Sequence, residues 1–178
     1  LDYFAYPTFG LPNYKPIAPP ISDAIAYSIA RQESHFNQKD VSPAKAMGLM
    51  QVTPEAAIDT ARKVKAGYNR ARLLSDPVYI MQMGAAELSN LFTGYNGSYI
   101  LTFAGYNAGR GRVRQWIAAY GDPRDPNVDP VDWVERIPLS ETRNYVERIM
   151  ENLQVYRARF GGGTRLMIEA DIRRGATN

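Results

Sequence analysis

Apolar residues recur at helical spacing along most of the chain, and nowhere do they alternate long enough to predict a strand ladder. A first helix is expected over about 22–36, with Ser22 as N-cap and Ile25, Ile29 and Phe36 on one stripe. Thr53-Pro54 is a cap followed by proline at the first helical position, which opens a helix over about 54–65. Asp76-Pro77 repeats that signal before the stripe Ile80, Met81, Gly84, Leu88, Leu91 and Phe92. Asn96-Gly97 turns the chain into a short apolar helix over about 98–108. Gly109-Arg110-Gly111 breaks it, and Val113, Trp116, Ile117 and Tyr120 mark the next one. Residues 121–132 are expected as a Pro/Asp loop. The last long helix, about 140–160, carries Val146, Ile149, Met150, Leu153, Tyr156 and Phe160 and ends at Gly161-Gly162-Gly163. The predicted class is all-α, with at most a small β-hairpin hidden in 37–52.

Three segments follow. Residues 1–21 hold five of the twelve prolines and cannot be helical; they read as an extended arm lying on the domain or linking it to another. Residues 22–160 form the helical domain, and 161–178 are expected as a flexible charged tail.

Composition narrows the chemistry. With 178 residues and 45% hydrophobic content the chain supports one domain with a real core. Tyrosines number 12 against 6 Phe and 2 Trp, an excess suited to presenting amphipathic rings to a polar ligand or to core packing. The net charge of +3 and pI near 9.1 are mildly basic, well short of the clustered stripe of a nucleic-acid binder. There is no cysteine and only one histidine, His35, so no thiolate or His-rich metal site is expected, and no cofactor. No apolar run approaches the ~20 residues of a membrane span. The chain opens on Leu1 without a signal peptide, as expected of a piece of something longer.

Glu33 is a carboxylate where a hydrophobe belongs, one turn after Ile29 on the apolar stripe, while Asp23 and Arg31 lie elsewhere. A carboxyl half buried among apolar neighbours holds its proton more tightly than the ~4.3 of free Glu, as a general acid near neutral pH requires. The plainer reading is a helix Glu at the edge of the stripe, paired to an arginine. Gly48-Leu49-Met50-Gln51 sets a tight turn that either presents an amide to sugar hydroxyl and acetamido groups or docks Leu49 and Met50 in the core. Gly105-Tyr106-Asn107-Ala108-Gly109 either projects a phenol and an amide from a helix end or is a C-cap. His35, nearly opposite Glu33 on the helix, reads as a surface or packing residue. Asp40 reads as a turn residue, Glu55 as first-turn helix stabilisation, and Arg110, Arg112 and Arg114 as a solvated face.

In this order and spacing, Glu33-Ser34, Gly48-Leu49-Met50-Gln51, Gly105-Tyr106-Asn107-Ala108-Gly109 and Ser140-Glu141-Thr142-Arg143-Asn144-Tyr145 closely resemble the soluble lytic transglycosylases of bacteria, over about residues 21–160. The arm and Asp122–Pro138 also look like the catalytic C-terminal end of the large multi-domain soluble type. The resemblance implies a lysozyme-like (goose-type-like) helical domain acting on peptidoglycan glycan strands in the bacterial periplasm, as a monomer. Glu33 matches the single catalytic acid, and Ser42 a loop serine near the reacting sugar. Met50 and Gln51 match residues lining the glycan groove, Tyr106 and Asn107 the pair facing the acid, and Glu141 and Tyr145 positions bordering the groove. Gly105 stands where alanine is more usual, and Arg110 where proline is common. Two carboxyls are the rule for glycosidases; the resemblance implies one, acting as acid and then as base, with a 1,6-anhydromuramoyl product. The rivals are a hydrolytic muramidase and an inactive glycan-binding module.

Overall fold

The structure, a computed structural model, describes residues 5–163 and 165–175. Among the described residues the regular elements are nine helices: α1 Asp23–Ser34, α2 Pro54–Lys63, α3 Arg72–Ser75, α4 Pro77–Gly94, α5 Tyr99–Ala108, α6 Arg110–Tyr120, α7 Pro130–Glu135, α8 Ser140–Arg159 and α9 Ile168–Ile172. The β content is two isolated bridges, Val41 to Met47 and Met47 to Val52, so the expected hairpin shrinks to a bridged loop. Two compact units divide the chain. One comprises the residues up to Asn90 with Val155–Gly163, the other Leu91–Gln154 with 165–175.

In the first unit α1 is core rather than a half-exposed stripe. Every residue from Ala24 to Ala30 is buried, because the alanines and Ser28 are small enough to let neighbours close on all sides. Ser28 satisfies its hydroxyl by donating to Ala24 O at 2.6 Å. Ser22 caps the helix by accepting from Ile25 N. The helix stops at Ser34, because His35 and Phe36 take left-handed conformations, φ 49° and 65°. Phe36 therefore meets Tyr27, centroids 5.8 Å apart, by way of that turn and not along the helical stripe.

The arm, over its described residues 5–21, has no helix, and its carbonyls accept from the unit beneath. Arg31 Nε donates to Ala5 O at 2.8 Å, Tyr27 OH to Thr8 O at 3.2 Å, and Gln82 Nε2 to Lys15 O at 2.9 Å. Anchoring largely through carbonyl acceptors suits a proline-rich strand that has few N–H groups to offer, although the Leu11 N–H also bonds to the Tyr27 hydroxyl. The guanidinium of Arg31 also lies 4.1 Å over the Tyr6 ring. Residues 1–4 of the expected arm lie outside the described residues.

Tyr6, Tyr27, Tyr156 and Phe160 close this side as a ring cluster, with Tyr156 fully buried. Burial pushes the Tyr156 phenol up to about 12, against the opposing pull of Arg31 and Arg159. Burial raises Tyr14 and Tyr27 as well. A phenol whose folded pKa exceeds its unfolded 10 contributes stability below pH 10 that is lost as pH climbs toward 12. Chemical denaturation at stepped pH is expected to show stability falling across that window, and Tyr156→Phe to flatten the fall. An unchanged slope would contradict this.

In the second unit Ser98 caps α5, which is buried from Tyr99 to Gly105, and Phe92, Tyr99 and Phe103 pack as rings. Trp133 is buried and donates Nε1 to Gly121 O at 2.9 Å. Two corrections belong here. The 121–132 stretch is not loop throughout: α7 begins at Pro130, with Asp129 accepting from Val131 N and Asp132 N, a second use of the acid-proline start seen at Asp76-Pro77.

The expected charged tail does not trail over 165–175. There α9 is docked, because its Asp171 carboxylate is buried and accepts from Gln154 Nε2 at 2.7 Å. Gln154 Oε1 in turn accepts from Met167 N at 2.8 Å, and Arg174 bonds to Tyr99 OH and lies over its ring. Residues 164 and 176–178 of that expected tail lie outside the described residues.

Candidate functional site

Glu33 sits half-buried in the last turn of α1, in the first unit. Its neighbour Ser34 is buried and donates its hydroxyl to Leu49 O at 2.8 Å, sharing it with Ala30 O at 3.2 Å. That bond clips the glutamate's helix end to the Gly48–Gln51 turn, and sequence reasoning passed over it. The available signal was a small hydroxyl on the buried side of a helix end. Ser34→Ala leaves the Leu49 carbonyl without this donor and is expected to cost roughly 1–3 kcal/mol, read as a lower urea midpoint. A shift under a few tenths would contradict it.

The turn itself is built from left-handed backbone at Gly48 and Gln51, φ 72° and 47°. Gly48 has no room for a side chain, since a Cβ there would lie 2.7 Å from Leu73 O. Met50 is fully buried, against the bare backbone of Gly84, where a Cβ would come within 2.6 Å of Met50 Cβ. Both hydrogens of the Gln51 amide are committed, to Asp40 O and Gly48 O, each at 3.0 Å. The expectation that Met50 and Gln51 line a glycan groove is therefore corrected. The Met50 side chain is core, and the Gln51 donors hold the loop. Apolar burial and backbone carbonyls nearby outcompete solvent-facing roles for both. Ser42 is half-exposed, with its hydroxyl accepting from Ala46 N at 3.1 Å to close the 42–46 turn. His35 is exposed as the C-cap residue of α1.

In the second unit, Tyr106 and Asn107 emerge half-buried from the last turn of the otherwise buried α5. A Cβ added at Gly105 would lie 3.1 Å from both Leu91 Cδ2 and Tyr95 Cε2, so alanine here requires those side chains to yield by a few tenths of an ångström. Thr142, 1% exposed, donates to Asn107 Oδ1 at 2.7 Å, tying α8 to α5 and leaving the Asn107 amine as the group it presents. Thr142 was quoted in the last motif without a role; its buried hydroxyl supplies one. Glu141 is exposed in the first turn of α8, while Tyr145 is 5% exposed and packs inward, so it offers a ligand little surface.

A model of the transglycosylase SLT domain matches residues 14–128. The chain belongs to that family. The soluble lytic murein transglycosylase of Escherichia coli K12 is 37% identical over 148 residues, 83% of this chain and 22% of that protein. The membrane-bound lytic murein transglycosylase C of Haemophilus influenzae is 28% identical, over 78% of this chain and 43% of that protein. Among solved structures, the 70 kDa soluble lytic transglycosylase of E. coli superposes with a TM-score of 0.75 at 37% identity, covering 85% of this chain and 24% of that one. An inactive glutamate-to-glutamine mutant of the Pseudomonas aeruginosa enzyme gives 0.69 at 31% identity, covering 83% and 23%. The all-α fold is thus that of the lysozyme-like SLT structures. The chain spans about a quarter or less of the soluble relatives it matches. Among the described residues, no cluster of His, Asp or Glu is arranged to hold a metal, and no helix is long and apolar enough to cross a membrane.

Proposed function

We propose that this SLT domain is a peptidoglycan lytic transglycosylase, cleaving the MurNAc–GlcNAc β-1,4 bond without consuming water. The observation that carries this reading is Glu33, a half-buried carboxyl at the end of a helix whose position is clipped by Ser34. Protonated, Glu33 gives its proton to the glycosidic oxygen as the C1–O bond breaks and GlcNAc leaves as an alcohol. The cation left on the muramoyl ring is stabilised by its own acetamido group and by oriented dipoles. Tyr106 and the Thr142-braced Asn107 are proposed as glycan-facing groups of the second unit. The ionised carboxylate then removes the C6 hydroxyl proton while that oxygen closes on C1. The product is the 1,6-anhydro sugar, and Glu33 is again protonated. No second carboxyl is required, unlike in paired-carboxyl hydrolysis.

Ser42 is proposed beside the reacting sugar and Glu141 at the edge of the glycan path. Gln51 and Met50 act as positioning residues that shape the turn next to Glu33. That a glutamate-to-glutamine change marks the inactive P. aeruginosa relative agrees with chemistry hanging on one carboxyl. A peptidoglycan substrate places the proposed work in the periplasm. Digestion of purified sacculi, followed by mass spectrometry, is expected to yield ends one water lighter than hydrolysed muramic acid ends. Reducing ends would instead mark a muramidase, and no release would mark a binding module.

A further inference from the structure

In the second unit, α7, α8 and α9 enclose an apolar groove of about 200 Å³. Its floor is Ile100, Val134, Val146 and Met150, all buried, and its lips are Val131 and Ile168, 54% and 36% exposed. The docked α9 supplies one wall, and the Asp171–Gln154 bond helps hold that helix down. Past Pro130, Val131 and Ile172 it continues into a second hollow of about 510 Å³ lined by Asp129, Glu169 and the cation Arg173. Leu166 and Met167, 71% and 42% exposed, extend the apolar surface beside the Ile168 lip. An apolar depression with exposed apolar lips is the pattern of an interaction site rather than of ordinary surface.

The rim fixes the kind of partner. On α8, Val146 and Met150 form one i,i+4 row on the floor, and Glu147 and Glu151 form the adjacent row on the rim. Glu135 on α7 faces the same groove, so every charged residue lining it is acidic, while at its far end Glu169 shares the second hollow with Arg173. Glu135, Glu147 and Glu169 take part in no ion pair among the described residues, while Glu151 is shared with Arg148 at 3.0 Å. Like charges at i,i+4 on a helix repel, so an incoming cation relieves a strain that the fold carries. The carboxylates also repel the phosphates of nucleic acids and anionic lipids. A glycan would find neither an aromatic platform nor a set of donors on this floor.

We propose that this groove docks a segment of another protein that inserts one or two bulky apolar side chains, flanked by lysine or arginine. The chain's net charge is +3, so attraction for a basic segment comes from these local carboxylates and not from the molecule at large.

The test is selection of a random phage-displayed peptide library on the whole chain, followed by anisotropy titration of the recovered peptides. The expected peptides pair bulky apolar residues with Lys or Arg. Their binding is expected to weaken roughly tenfold or more in the Glu135→Lys/Glu147→Lys double variant, and likewise in Ile168→Asp. All three positions have solvent-accessible side chains, so melting temperatures should match the parent, and digestion of sacculi should proceed at the parent rate. Acidic or uncharged peptides, binding indifferent to both variants, or no enrichment would each overturn the proposal. So would concentration-dependent self-association abolished by Ile168→Asp, which would assign the groove to a second copy of the chain.

Discussion

Glu33→Gln is expected to remove turnover on sacculi by roughly a thousandfold or more, because the amide can neither deliver a proton to the glycosidic oxygen nor take one from the C6 hydroxyl. The same substitution preserves size and shape at a half-buried position. Melting temperature should therefore stay close to the parent's. Glycan affinity should survive, so KM is expected to move little while kcat collapses, the pattern of an interaction made in the transition state. A variant with more than a few per cent of parental activity would remove Glu33 from the mechanism. Equal loss of activity and of folding would assign it a structural role instead.

Gly48→Ala should produce a large loss of stability beside the site. The new Cβ would stand 2.7 Å from Leu73 O and 3.1 Å from Ile80 Cγ1, with the backbone at φ 72°. Left-handed backbone alone does not forbid a side chain here, since Lys45 and Gln51 of the same loop adopt φ 63° and 47°. The Leu73 carbonyl decides the matter, because it is main chain and cannot rotate away. Backbone strain and overpacking together suggest a loss of roughly 2–5 kcal/mol. Relief of the clash has to move the turn that holds Gln51 and the Leu49 carbonyl bonded by Ser34. Activity should then fall even at temperatures where the variant is still folded. Denaturant titration with parallel turnover assays checks both, and a loss under about 1 kcal/mol would show that the loop yields at little cost.

Helix positions were legible wherever an N-cap stood before an apolar period. Ser22 and Thr53 each accept from the backbone as expected, while α5, expected from the Asn96-Gly97 turn, proves to be capped by Ser98. The candidate acid was legible for a related reason: a charge on an apolar stripe conflicts with local pattern, and such conflicts concentrate at functional positions. Asp129-Pro130 carried the same start signal and was passed over because a Pro/Asp-rich stretch also satisfies the description of a loop. A four-residue element such as α3 leaves no period to read.

The periodicity and capping chemistry of the chain, with its four ordered motifs, determined an all-α class, the starts of the longer helices and the nomination of Glu33 as candidate acid. Tertiary structure alone decided how the polar side chains spend their hydrogen bonds. Gln51 gives both donors to its own loop, Thr142 orients Asn107, and Asp171 leaves water for Gln154, turning an expected tail into the wall of a groove. Local sequence encodes backbone preference within a few residues. A hydrogen bond spanning 17 or 35 positions, as in those last two pairs, depends on which burials the whole chain makes together.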